Sequence, residues 1–151
     1  LTSSVFVAFV VAAVLIVALA FYAGSLLWRV QQQSKAAQLE LAEKRQYLRD
    51  SIILICKAML AEQCELSEGA LRVWVLLDHL APEHKLDPIA SYPGLYQMYQ
   101  VVKDMPTHKA RKAQDKALTQ QQDVLRLKAE QDLKPLILID ADTLLKRFQP
   151  A

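Results

Sequence analysis

The first 28 residues, LTSSVFVAFVVAAVLIVALAFYAGSLLW, contain no Lys, Arg, Asp, Glu, His, Asn, Gln or Pro. From Val5 to Trp28 every residue but Gly24 and Ser25 is apolar. As a helix this run is about 36 Å long, against a hydrocarbon core of about 30 Å, so it reaches across a bilayer with some tilt. Its dozen Val, Leu, Ile and Phe side chains up to Ala23 each favour insertion by roughly 0.3–0.6 kcal/mol, about 5 kcal/mol together. A cleaved signal peptide would want a basic leading region and only about 7–15 apolar residues before a small-residue site. Ala18-Leu19-Ala20 mimics such a site, but the apolar run continues past it. The expectation is a permanent transmembrane anchor over residues 1–29.

Orientation follows from the cations. Arg29, Lys35, Lys44, Arg45 and Arg49 follow the run and none precedes it, which predicts a single-pass protein with its N-terminus out and its C-terminal domain in the cytoplasm. Tyr22 and Trp28 suit the membrane interface, and Arg29 reaches lipid phosphates just beyond it. Ala8 with Ala12, and Ala20 with Gly24, have the small-xxx-small spacing through which two spans can approach as a homodimer. Alanine is common in any such helix, so the motif is weak.

Away from the run the composition is close to the roughly 45–50% apolar share of globular chains. Wholesale disorder, a collagenous repeat and a disulfide-stapled secreted domain are excluded. Residues 30–49 lack Gly and Pro and are rich in helix formers, so the span is predicted to continue as a helical stalk. Asp50 or Ser51 is predicted to cap the next helix, whose apolar face is Ile52, Ile53, Ile55, Cys56, Met59 and Leu60. Ser67 is predicted to cap a second, with Leu71, Trp74, Leu77 and Leu80 inward. Pro82 and Pro88 mark residues 81–91 as a loop. Ser91 and Pro93 then open a short third helix.

Thr107 is predicted to cap a long polar helix through about Gln131, with Pro135 forcing a kink or a break. Residues 136–148 form an amphipathic end with Ile137, Leu144, Leu145 and Phe148 on one side. A strand over 136–139 would have no partner run to pair with. The fold class is therefore all-α: a transmembrane anchor (1–29), a stalk (30–49), a compact helical core (50–106), a long polar helix (107–134) and a short amphipathic C-terminal helix (135–151). A core of fewer than 60 residues is marginal alone, so the tail helices or a partner chain are expected to close it.

Little in the chain points to catalysis. Cys56 and Cys64 on one helix would lie about 12 Å apart, beyond the roughly 4.4–6.8 Å a disulfide needs; they are expected as free thiols, Cys56 as a small buried apolar residue. Asp78, His79, Glu83, His84 and Asp87 are metal-ligand types without a metal motif's spacing, and read as a polar helix end. The three glycines, Gly24, Gly69 and Gly94, are too scattered for a phosphate-cradling loop. No nucleophile has an identifiable base. The chain is expected to be no enzyme and to carry neither metal nor cofactor; an uncharacterised hydrolase or metalloenzyme is the remotest alternative.

The strongest exposed feature is THKARKAQDK, where Lys109, Arg111, Lys112 and Lys116 crowd a helix start, the wrong end of its dipole. An ordinary solvated face is the plain reading. The sharper one is contact with an acidic protein, anionic lipid or nucleic acid, although a net charge of only +2 makes nucleic acid a poor partner. Tyr92, Tyr96 and Tyr99 form one helical stripe beside this start. They are candidates for partner contact, with core packing the commoner use of such a face.

Cys64, Leu66, Ser67, Glu68, Gly69, Leu77, Asp78 and His79, followed by Tyr96, Lys103, Pro106, Thr107, His108 and Ala110, sit in two segments, CELSEGALRVWVLLDHL and YPGLYQMYQVVKDMPTHKARK. These resemble a family of bacterial single-span proteins known only as a domain of unknown function, number 2489. The resemblance runs from the span to about Lys128. It implies a bacterial inner-membrane setting and no assigned activity, cofactor or catalytic residue. Together these readings predict a membrane-anchored interaction or scaffold protein, with the lipid bilayer and a protein as its partners.

Overall fold

The computed structural model describes residues 2–84 and 86–149. They form six helices: α1 (Thr2–Leu60), α2 (Leu66–His84), α3 (Pro88–Ser91), α4 (Pro93–Val102), α5 (His108–Ala113) and α6 (Lys116–Phe148). No strand occurs among the described residues, as the all-α expectation requires. By contacts the chain divides into two compact units, Leu1–Lys44 and Arg45–Ala151.

The first unit consists of α1 alone. Within it every described side chain is exposed except Ser25, which is half-buried. Phe6, Phe9 and Phe21 are each at least 70% exposed, so the apolar run is bare around its whole girth. The run is long and apolar enough to cross a membrane. Its one polar side chain between Val5 and Trp28 is internally satisfied: Ser25 Oγ donates to the Tyr22 carbonyl at 2.8 Å, which lets a hydroxyl sit in apolar surroundings. Farther along, Glu40 and Lys44 form an i,i+4 ion pair at 3.1 Å, a small support for a solvated helix.

α1 does not stop where Asp50 or Ser51 was expected to cap a new helix. Asp50 instead accepts from Gln46 Nε2 at 2.8 Å along the same helix, and the helix runs unbroken to Leu60. It ends in a Schellman turn: Gln63 N–H donates to the Ala58 carbonyl and Glu62 N–H to that of Met59. Glu62 takes the left-handed position (φ 55°) where glycine is usual, and its carboxylate reaches Lys134 of α6 at 2.6 Å.

The second unit has one core. Ile52, Cys56 and Met59 of α1, Val73, Leu77 and Leu80 of α2, Leu95 and Met98 of α4, and Ile137, Ala141 and Leu144 of α6 are fully buried. Each set recurs at three or four residues, the period of one helical face. The core expected from residues 50–106 is thus completed by the tail, through α6.

Three local expectations give way. Residues 81–91 are not a single loop, because α2 continues through Pro82 to His84 and α3 follows. Pro82 and Asp78, whose carbonyl loses its helical partner to the proline, are both exposed, so water satisfies that group. The same holds for Pro135 and Gln131, and α6 passes through Pro135 without a break. The long polar helix is instead interrupted earlier, at Gln114 and Asp115. There α5 folds back on α6: Arg111 Nη2 donates to both Asp123 carboxylate oxygens at 2.7 Å, and Gln114 Nε2 to Gln122 Oε1 at 3.0 Å.

Candidate functional site

α6 holds the second unit together by capping its neighbours. Ser67, the expected cap of α2, lies inside its first turn and is buried. Its backbone N–H donates to Glu130 Oε1 at 3.1 Å. Arg126, one turn earlier on α6, places Nη1 2.6 Å from Glu65 and 3.3 Å from Ser67 Oγ. A carboxylate at a helix N-terminus satisfies amides that lack intrahelical partners and opposes the dipole.

Ten residues on, Asp140 does the same for α4. Tyr92 occupies the N-cap of α4 with no side-chain bond to offer, and Ser91, the expected cap, closes α3 instead. Asp140 Oδ2 accepts from Leu95 N–H at 3.0 Å, with the Gly94 amide also contributing. Asp140 is 4% exposed. Burial pushes its carboxyl up from the usual range, against the pull of the two amides. The approach is close because Gly94 has no side chain: a Cβ there would lie 2.6 Å from the Leu136 carbonyl carbon. Sequence reading placed Asp140 near a helix start for its own dipole and missed both caps, since the recipients are 45 and 63 residues away.

The predicted contact residues separate into three groups. Tyr92 is buried and unavailable to a partner in this fold. Tyr96 and Tyr99 are half-buried against Trp74, with ring centroids 5.1 and 5.7 Å away. Lys109, Lys112 and Lys116 are exposed, whereas Arg111 is neutralised by Asp123. On the apolar run, Tyr22, Trp28 and Arg29 are all exposed.

Of the possible metal-ligand cluster, Asp78 and His79 are exposed. The His79 ring turns back to the Val75 carbonyl at 2.7 Å, and Asp87 Oδ1 accepts from Ala90 N–H at the start of α3. The side chains of Glu83 and His84 lie outside the described residues. No group of metal-binding side chains occurs among the described residues.

The two thiols are free, though not by the separation argued from one continuous helix: α1 ends at Leu60 and Cys64 lies in the turn beyond. Burial, reinforced by Cys64, pushes the Cys56 thiol up to about 12. Burial also raises that of Cys64, which remains half-buried. Thiolate is the reactive species, so Cys56 is expected to resist iodoacetamide in the folded protein at pH 8 while Cys64 is alkylated slowly. Mass spectrometry should find both modified after denaturation; prompt labelling of native Cys56 would contradict the packing.

A protein-family model described as "Protein of unknown function (DUF2489)" matches residues 16–144. The match extends beyond Pro135 to within a few residues of the end of α6. An uncharacterized protein of Haemophilus influenzae is 33% identical over 126 residues, covering 83% of each chain. No solved structure matches the chain.

Proposed function

The chain belongs to this family of unknown function, and from that premise we propose that it is a single-pass protein of the bacterial inner membrane whose helical unit is a cytoplasmic interaction or scaffold module. The observation that carries this reading is the run from Val5 to Trp28, apolar around its whole girth, with its large side chains exposed. Apolar surface on that scale needs apolar surroundings, and lipid supplies them along a helix of this length. Arg29, Lys35, Lys44, Arg45 and Arg49 follow the run, which orients the helical unit to the cytoplasm. Tyr22, Trp28 and Arg29 then sit at the interface.

No catalytic role is proposed for the helical unit. Its buried polar groups act on its own helices, Asp140 on α4 and Ser67 with Glu130 on α2, while Lys109, Lys112 and Lys116 are exposed at α5 and the start of α6. That edge is the one offered to a partner. Contact with anionic lipid or nucleic acid is the second reading. It retains Lys109, Lys112 and Lys116 but loses Arg111, which is already paired with Asp123.

Topology is tested by a reporter fused behind Ala151. Green fluorescence with no alkaline phosphatase activity is the expected pattern, and an active phosphatase would overturn the orientation. Photo-crosslinkers at Lys109 and Lys112 in living cells should capture one defined protein band. Capture of nothing by a well-expressed anchored chain would remove the scaffold reading.

A further inference from the structure

Between residues 27 and 44 the first unit is a solvated helix with a seam on one side. Leu27, Val30, Ser34, Ala37, Leu41 and Lys44 follow one another at alternating steps of three and four residues, so on a helix they lie within about 100° of arc. All six are exposed, Leu27 at 67%, Val30 at 60% and Leu41 at 46%. The other positions of 31–43 are Gln, Lys or Glu, apart from Ala36, Leu39 and Ala42, which fall outside the seam. The same steps continue back into the apolar run through Ala23, Ala20, Ile16 and Ala13.

We propose that two copies of the chain pair along this seam as a parallel coiled coil, from within the membrane to Lys44. The inference rests on the membrane-anchor reading and assigns the stalk a partner. A repeat of 3.5 residues is that of a left-handed coil of helices, and here it is sustained over about 48 Å. Within the membrane, Ala13, Ala20 and Ala23 let two backbones approach closely. The seam passes by Ala8, Ala12 and Gly24, so it is a different contact from the small-xxx-small pairs. Outside the membrane, a solvated helix of about 15 residues is marginal alone. Pairing supplies packing to residues 30–44, whose side chains are all exposed.

Symmetry and charge choose a second copy over other occupants. Copies anchored by the same run enter one membrane at the same depth and point the same way, so each seam residue meets its own counterpart across a two-fold axis. The flanks of the seam are Gln31, Gln33, Gln38 and Glu40. Gln33 on one side and Gln38 on the other face each other across the axis of a parallel pair, and each amide both donates and accepts. Glu40 is occupied by Lys44 of its own helix at 3.1 Å. That ion pair offsets repulsion between the two Lys44 side chains, and it leaves a strongly acidic or basic helix no unpaired flank charge to meet.

The test uses the full-length protein in bacterial membranes. Ser34→Cys and Ala37→Cys on the seam, and Gln32→Cys and Leu39→Cys on the opposite side, are oxidised with copper phenanthroline beside the parent chain, whose own thiols set the background. Disulfide-linked dimer from the two seam variants should exceed that from the other two at least fivefold. In detergent, sedimentation equilibrium should show a dimer whose dissociation constant rises at least tenfold in Leu41→Asp and stays within about twofold in Leu39→Asp. All these positions are exposed, so an unchanged melting transition will show that the variants fold.

Equal crosslinking at the four positions, or a chain that is monomeric at every concentration, overturns the proposal. So does a Leu41→Asp chain that dimerises like the parent. Crosslinking of Ser34→Cys to a different protein overturns it in favour of that partner. The anchor reading fails separately: release of the chain from membranes by alkaline carbonate removes the anchor and this pairing with it, whereas an integral chain that forms no Ser34→Cys dimer loses only the seam.

Discussion

Gly94→Ala is expected to destabilise the helical unit by about 3 kcal/mol, seen as a lowered urea or thermal midpoint of the full-length protein. Conformation is not the reason, since no glycine in the chain has a positive φ. The reason is contact. An added Cβ would lie 2.6 Å from the Leu136 carbonyl carbon, 2.7 Å from the Ile137 nitrogen and 2.8 Å from the Leu136 Cβ. Two of these atoms belong to the α6 backbone, so no rotamer change relieves the overlap and the helices must separate. Overpacking a tight contact costs roughly 1–3 kcal/mol. Here separation also lengthens the bond from Leu95 N–H to Asp140 and loosens the packing of Ile137, which outweighs the helix-propensity gain of about 1 kcal/mol that alanine brings over glycine.

Gly69→Ala is the internal control. Its Cβ would meet Met59 Sδ at 2.5 Å and Cγ at 2.6 Å, the far part of a flexible side chain that can swing away. Equal losses for the two variants would show that the α4–α6 approach is not special.

The same contrast between local and distant causes explains what sequence made legible. The apolar run, the continuous helix after it and the inward faces of α1, α2 and α4 follow from spacing, and spacing is local. Even the inward choice of Ile137 and Leu144 was readable. The break at Gln114–Asp115 was not, because no Gly or Pro marks it. It is held by Arg111 reaching Asp123 and Gln114 reaching Gln122, both interactions made only after the chain has turned. The prolines misled for the opposite reason. Pro82 reads as part of a loop and Pro135 as a kink or a break, yet each lies on a solvated face where the orphaned carbonyl needs no protein donor. Which face a proline occupies is a tertiary fact. The tyrosine stripe was visible as a stripe, but only Trp74, about 20 residues away in sequence, decides that Tyr96 and Tyr99 lean on the core.

Asp140→Ala is expected to be about as damaging as Gly94→Ala, and it carries a pH signature that a packing defect lacks. The carboxylate is almost wholly buried and accepts from the first turn of α4. Removing it leaves buried amides unpaired at about 1–3 kcal/mol each and withdraws a negative charge from the positive end of a helix. Asp140→Asn keeps an acceptor oxygen and should lose less, about 1 kcal/mol.

Burial raises the folded-state pKa of Asp140 above its unfolded value. Between those two values the folded chain holds a proton that the unfolded chain has released, so the stability linked to this group decreases as pH rises through the window and is constant above it. The difference in unfolding free energy between the parent protein and Asp140→Asn removes the titration of every other group. That difference should therefore shift toward the parent as pH is lowered from 7 through the folded pKa of Asp140 toward the ordinary aspartate range. A difference that stays flat, or moves toward Asp140→Asn, would mean that the α4 amides outweigh burial at this carboxylate and that Asp140 caps α4 as an anion with a lowered pKa.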